Sequence, residues 1–116
     1  MATGTIKNTA PVKFALTSAG HSSSGGFGIY FPDSRLVVFM AECSMGSDGN
    51  TGTAIAIIPS PYRPTAQVSG GCFGRIGQSN GGSFTTHMFN IDTSGNIKQG
   101  ATSNFRNADV YGAYTI

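Results

Sequence analysis

The stretch Phe89-Asn90-Ile91-Asp92-Thr93-Ser94-Gly95-Asn96-Ile97 reads as a strand that runs into a tight turn and comes back out. Phe89 and Ile91 alternate with Asn90 and Asp92 at the two-residue period of a half-buried strand, and Thr93-Ser94-Gly95-Asn96 supplies the residue types that accept turn geometry. Upstream, Phe84 to Ile91 is expected to be a strand entered through an Asn80-Gly81-Gly82 hairpin turn. Gln67 to Ile76 has a strand's β-formers diluted by Gly70, Gly71 and Gly74, the mark of a bulged or closely packed strand. Before it, Ile58-Pro59-Ser60-Pro61-Tyr62-Arg63-Pro64 is a stiff connector, because its prolines fix φ and remove backbone donors.

Further outward, Leu36 to Cys43 is apolar at the six successive positions 36–41, which predicts a strand covered on both faces. Ser44 to Thr51, with Asp48-Gly49-Asn50, is expected to turn. In Thr53 to Ile58 a two-residue period puts Ile55 and Ile57 on one face and Ala54 and Ala56 on the other. The alanine face is expected to meet a close neighbour, taken as another subunit. Val12 to Thr17 and Phe27 to Phe31 read as strands, Gly20 to Gly26 as an exposed loop and Pro32-Asp33-Ser34 as a turn. After the hairpin, Ile97 to Gly100 pairs back, Ala101 to Asn107 loops, and Val110 to Ile116 closes the sheet. No 3.6-residue apolar period persists, so the chain is all-β: about eight short strands in a small antiparallel β-barrel or β-sandwich. Residues 1–10 form a loose lead-in and 11–116 one domain.

At 116 residues the chain suits one core. Charged residues make up only 10%, far below the usual share, so the surface must be built of neutral polar groups. Hydroxyls and amides exchange hydrogen bonds with sugars without desolvating charge, and a loop-rich β-protein of no special function has the same composition. The net charge of +2 comes from singly scattered basic residues, which excludes a phosphate-tracking nucleic-acid surface. No apolar run approaches a membrane span and no secretory signal opens the chain, so a soluble protein made inside a cell is expected. Cys43 and Cys72 are expected to be buried thiols.

Only five carboxylates exist and Glu42 is the sole glutamate, so an enzyme built on a carboxylate pair is not expected. His21, His87, Cys43 and Cys72 lack the short paired spacings that preassemble a metal site, and no cofactor motif occurs. The binding candidates are Asn90, Asp92, Gln99 and Arg106, with His87 as an outlying member. Asn90 and Asp92 point to one face, Gln99 lies across the hairpin, and Arg106 is placed to reach the same patch from the next loop. An amide, a carboxylate and a guanidinium together grip vicinal diols. The alternative stays open that Asp92 caps its own turn and that His87 is an ordinary strand histidine.

From Phe27 onward the chain resembles the head domains of baseplate receptor-binding proteins of siphophages that infect lactococci and related Gram-positive bacteria. The resemblance lies in the Leu36–Cys43 strand, the Pro59–Pro64 connector, the Phe89-Asn90-Ile91-Asp92 step with its Ser94-Gly95 turn, and the terminus Tyr111-Gly112-Ala113-Tyr114-Thr115-Ile116. It implies a homotrimeric head that attaches the virion to host cell-wall polysaccharide or phosphopolysaccharide without catalysis, joined to other baseplate proteins through an N-terminal part. In such heads the pocket holds a histidine and an aspartate two apart, a tryptophan on the next strand and an arginine beyond. Asn90 takes the histidine's place, Asp92 matches, Gln99 falls near the tryptophan and Arg106 matches the arginine. With no tryptophan in the chain, stacking on sugar would fall to Phe105, Tyr111 or another aromatic. Two other functions fit the same residues: a cellular carbohydrate-binding module, and a structural tail-fibre cap without ligand.

Overall fold

The computed structural model describes residues 9–49, 52–77, 85–100 and 105–116. Their nine strands are β1 (Val12–Ala15), β2 (Thr17–Ser18), β3 (Ser23–Phe31), β4 (Leu36–Gly49), β5 (Ala54–Ile57), β6 (Val68–Gly77), β7 (Thr85–Ile91), β8 (Asn96–Gln99) and β9 (Phe105–Thr115). They pair antiparallel in the order β1-β3-β4-β9-β6-β7-β8-β5-β2. Only Leu16 separates β1 from β2, so one stretch of chain starts the sheet against β3 and ends it against β5. The sheet thereby curls into a nearly closed barrel, and closure removes the exposed edges that invite aggregation.

Alternation along the strands fills the interior. Val37, Phe39, Ala41, Cys43 and Met45 of β4 point inward, with Cys72 and Ile76 of β6, Phe89 and Ile91 of β7, Ile97 of β8, and Ala108, Val110 and Tyr114 of β9. Cys43 and Cys72 are free and buried, and burial pushes each thiol up to about 11. The connector after β5 closes one end of the barrel. Pro59 sits at φ −65°, Ser60–Tyr62 make a 3-10 turn, and the Tyr114 hydroxyl donates to the Tyr62 carbonyl at 2.6 Å. The Tyr62 ring stacks on Phe14 at 4.1 Å, and Phe14 lies over Gly28, where an added Cβ would strike its ring.

Several expectations change. The run at 36–41 is not covered on both faces: Val38 is exposed on the outside while Val37 and Phe39 are buried. Continuous hydrophobicity here serves a buried inner face and an apolar outer one. β5 has no continuous alanine face, because a register shift between Ala54 and Ala56 breaks the alternation and both Ile55 and Ala56 are fully buried within the chain. The expected loop at Gly20–Gly26 is strand from Ser23, carried by glycines at φ 156° and 131° that let the backbone press on β4. β4 runs on to Gly49 instead of turning at Ser44. The Asn80-Gly81-Gly82 turn and residues 1–8 lie outside the described residues, as do 50–51 and 101–104.

Candidate functional site

The hairpin at Asp92 is built by Asp92 itself. Its Oδ1 accepts from the Ser94 and Asn96 amides, each at 3.0 Å, and its Oδ2 accepts from Asn96 Nδ2 at 3.0 Å and pairs with Lys98 Nζ at 3.2 Å. Partial burial raises its pKa, but the Asn96 hydrogen bonds and the Lys98 ammonium outweigh that and hold it below the ordinary 3.8. Both oxygens therefore serve the turn first.

The other expected site residues are distributed over the barrel. Asn90 shares the outer face with Asp92 and stands opposite Lys98 in register, while Ile91 between them is buried. Gln99 belongs to the opposite face. It is 1% exposed inside the barrel, where its Nε2 lies 3.5 Å from His87 Nδ1 and its Oε1 has no partner. His87 has the inward parity of buried Phe89 and Ile91. Arg106 shares the inward parity of Ala108 and lies just beyond the Asn107–Gly77 pair, whereas Asp92 follows the Ile91–Val68 pair. Those pairs bracket β6, so Arg106 and Asp92 are separated by roughly 30 Å at about 3.3 Å per residue. Asn90 and Asp92 come together, His87 and Gln99 come together, and Arg106 lies far from Asp92. The assumption that failed was that Gln99 projects to the same side as its hairpin neighbours; β8 alternates from Asn96, and odd positions turn inward.

A different part of the outer face is concave. Ser23 of β3, Glu42, Cys43 and Ser44 of β4, and Asn107 and Asp109 of β9 line a cleft of about 290 Å³. The register explains the grouping, since Ser23 pairs Ser44, Ser44 pairs Asn107 and Glu42 pairs Asp109. Gly25 opposite Glu42 adds no side chain, which leaves the space open. Two hydroxyls, one amide and two carboxylates thus converge on a surface whose backbone is fixed by sheet pairing. That set donates and accepts with neutral polyols.

One residue pair further along the same strands the outer face becomes apolar. Phe27, Met40, Tyr111, Phe73 and Met88 are successive register partners across β3, β4, β9, β6 and β7, so they form one row perpendicular to the strands. Lys13 Nζ stands 5.2 Å from the Phe27 ring centroid at its border. The signal for both features was present as a period of two: Asn107, Asp109 and Tyr111 on one strand, Met40, Glu42 and Ser44 on another. Comparison of the sequence with protein-family models and with curated proteins finds no match.

Proposed function

We propose that this protein is a non-catalytic attachment head of a phage tail tip, working as a homotrimer that binds saccharide of the host cell wall. The observation that carries the reading is the cleft between β3, β4 and β9. Its Ser23, Ser44 and Asn107 side chains offer neutral donors and acceptors, and Glu42 and Asp109 accept from sugar hydroxyls. The sheet pre-orders these groups, so binding costs little rearrangement. Single sites of this size are weak, and several copies on one particle turn weak contacts into firm attachment.

Calorimetric titration with oligosaccharides released from host cell walls tests this. Asn107→Ala and Glu42→Gln should each weaken binding about fivefold, the loss of one hydrogen bond of about 1 kcal/mol. Unchanged affinity in both variants would remove the cleft as the site.

The direct pairing of Glu42 with Asp109 favours one second reading, a glycoside hydrolase, since two carboxylates line one cleft. Glu42 is exposed on the sheet's outer face, so the pair does not exclude water. Shortened oligosaccharides in the mass spectrum after incubation would favour hydrolysis over attachment.

A further inference from the structure

Along the strands the polar cleft opens directly onto apolar surface. Outward positions run Ser44, Glu42, Met40 on β4 and Asn107, Asp109, Tyr111 on β9, and the register joins them as the pairs Ser44–Asn107, Glu42–Asp109 and Met40–Tyr111. Each pair follows the last by about 6.6 Å, two residues of strand. On β3 the matching outward series is Ser23, Gly25 and Phe27, opposite Ser44, Glu42 and Met40. Gly25 has no side chain to part the cleft from Phe27, so the two surfaces are continuous.

Each surface offers what the other lacks. The cleft is lined by polar side chains apart from Cys43, so it takes hold of hydroxyl groups and gives nothing for an apolar face to rest on. Phe27, Met40 and Tyr111 stand side by side across three strands, about 9.6 Å from first to last. Phe27 is 41% exposed and Tyr111 58%, and Lys13 Nζ beside the Phe27 ring puts an ammonium donor at their border. A pyranose carries hydroxyls around its edge and C–H groups on its faces. One unit held by its edge in the cleft therefore places its neighbour in the chain, about one sugar length away, over the three apolar side chains. Beyond them the next outward pair is Val38–Ala113, both exposed, so a longer chain runs on along the same straight line.

We infer that the ligand is an oligosaccharide of at least two units laid along β4 and β9, the first held by its hydroxyls in the cleft and the second resting a C–H face on Met40 between Phe27 and Tyr111. The inference rests on the saccharide reading of the cleft and adds to it a minimum length, a direction and a second unit recognised by its apolar face.

Partial acid hydrolysis of host cell-wall polysaccharide followed by gel filtration gives the probes, fractions of one and of two sugar units, each titrated into labelled protein and read by chemical shift. Of about 200 Å² carried by each ring, Phe27 and Tyr111 together leave about 200 Å² in water, and a sugar face covering a third of that is worth about tenfold in affinity. The two-unit fraction should therefore bind about tenfold tighter than the one-unit fraction. Phe27→Ala combined with Tyr111→Ala should erase that gain and leave one-unit affinity unchanged, while Asn107→Ala should weaken both fractions alike. Should the double variant not fold, the wild type still decides, because the Met40 methyl resonance should move with the two-unit fraction and stay in place with the one-unit fraction. Equal affinity for the two fractions, a gain that survives in the double variant, or a Met40 methyl indifferent to both would overturn the inference. The cleft would still stand if Asn107→Ala weakened one-unit binding, whereas binding of neither fraction would overturn both readings. A Met40 methyl that moves with protein concentration and with neither fraction would give this surface to a neighbouring copy and overturn the inference as well.

Discussion

Two glycines share nearly the same backbone conformation and differ in their surroundings, so together they measure what close approach at the hairpin is worth. Gly20 has φ +89° and nothing within 4 Å of where a Cβ would stand; Gly95 has φ +85°, and a Cβ there would run into the Ile58 carbonyl oxygen. The left-handed conformation costs an alanine about 1–2 kcal/mol at either site, and the stiffer unfolded chain offsets about 0.5 kcal/mol of it. At position 95 more is lost. The Gly95 carbonyl accepts from the Ile58 amide at 2.8 Å, and Ile58 is fully buried, so moving the two apart strands a buried donor. That adds about 2 kcal/mol for the unmade bond and the desolvated amide. Gly20→Ala should therefore cost about 1 kcal/mol and Gly95→Ala about 3 kcal/mol. Urea unfolding at one fixed protein concentration reads both: with a slope of about 1.5 kcal/mol per molar, the midpoints should fall by about 0.7 M and 2 M. Equal midpoints for the two variants would refute the claim that the connector is clamped on the turn.

Asp92→Ala should cost about 1–2 kcal/mol at pH 7 through loss of the turn hydrogen bonds. Because the native carboxyl is held below 3.8, its ionised form contributes stability that is full above the unfolded value and lost as pH falls through the native one, so the wild-type advantage should shrink below about pH 4 in unfolding curves taken across pH. Cys43 and Cys72, buried and raised to about 11, should resist iodoacetamide in the folded protein and react fully in urea, as mass spectrometry would show. Gln99→Leu should raise the melting temperature by about 4 °C, since it removes a buried oxygen with no partner and only a 3.5 Å contact to His87.

The barrel was legible because its signals are local. The connector prolines, the Asp92 turn and the alternation at Phe89–Ile91 each dictate their own geometry, and the structure has them where the sequence puts them. Whatever depended on the outer face was less so. The apolar residues at 36–41 read as doubly buried because sequence records hydrophobicity and not what lies outside the barrel, and Val38 is exposed. The bulge at Ala54/Ala56 shifts parity without any glycine or proline to announce it. The candidate site suffered in the same way. Grouping Asn90, Asp92, Gln99 and Arg106 required knowing that β8 turns Gln99 inward and that β9 enters at the far end of β6, and both follow from strand order. The cleft of Ser23, Glu42, Ser44, Asn107 and Asp109 joins the β3–β4 hairpin to β9 near the other end of the chain, so its residues could be recognised as outward-facing but not all as neighbours.

The central claim is that a polar cleft on the sheet face holds saccharide. Amide and methyl chemical-shift mapping of the isotopically labelled protein against a purified host cell-wall oligosaccharide tests it most directly. The expected result is a saturable response centred on Ser23, Glu42, Ser44, Asn107 and Asp109, with the oligosaccharide recovered intact. A response confined to the hairpin at residues 92–96, or none at millimolar ligand, would contradict the account.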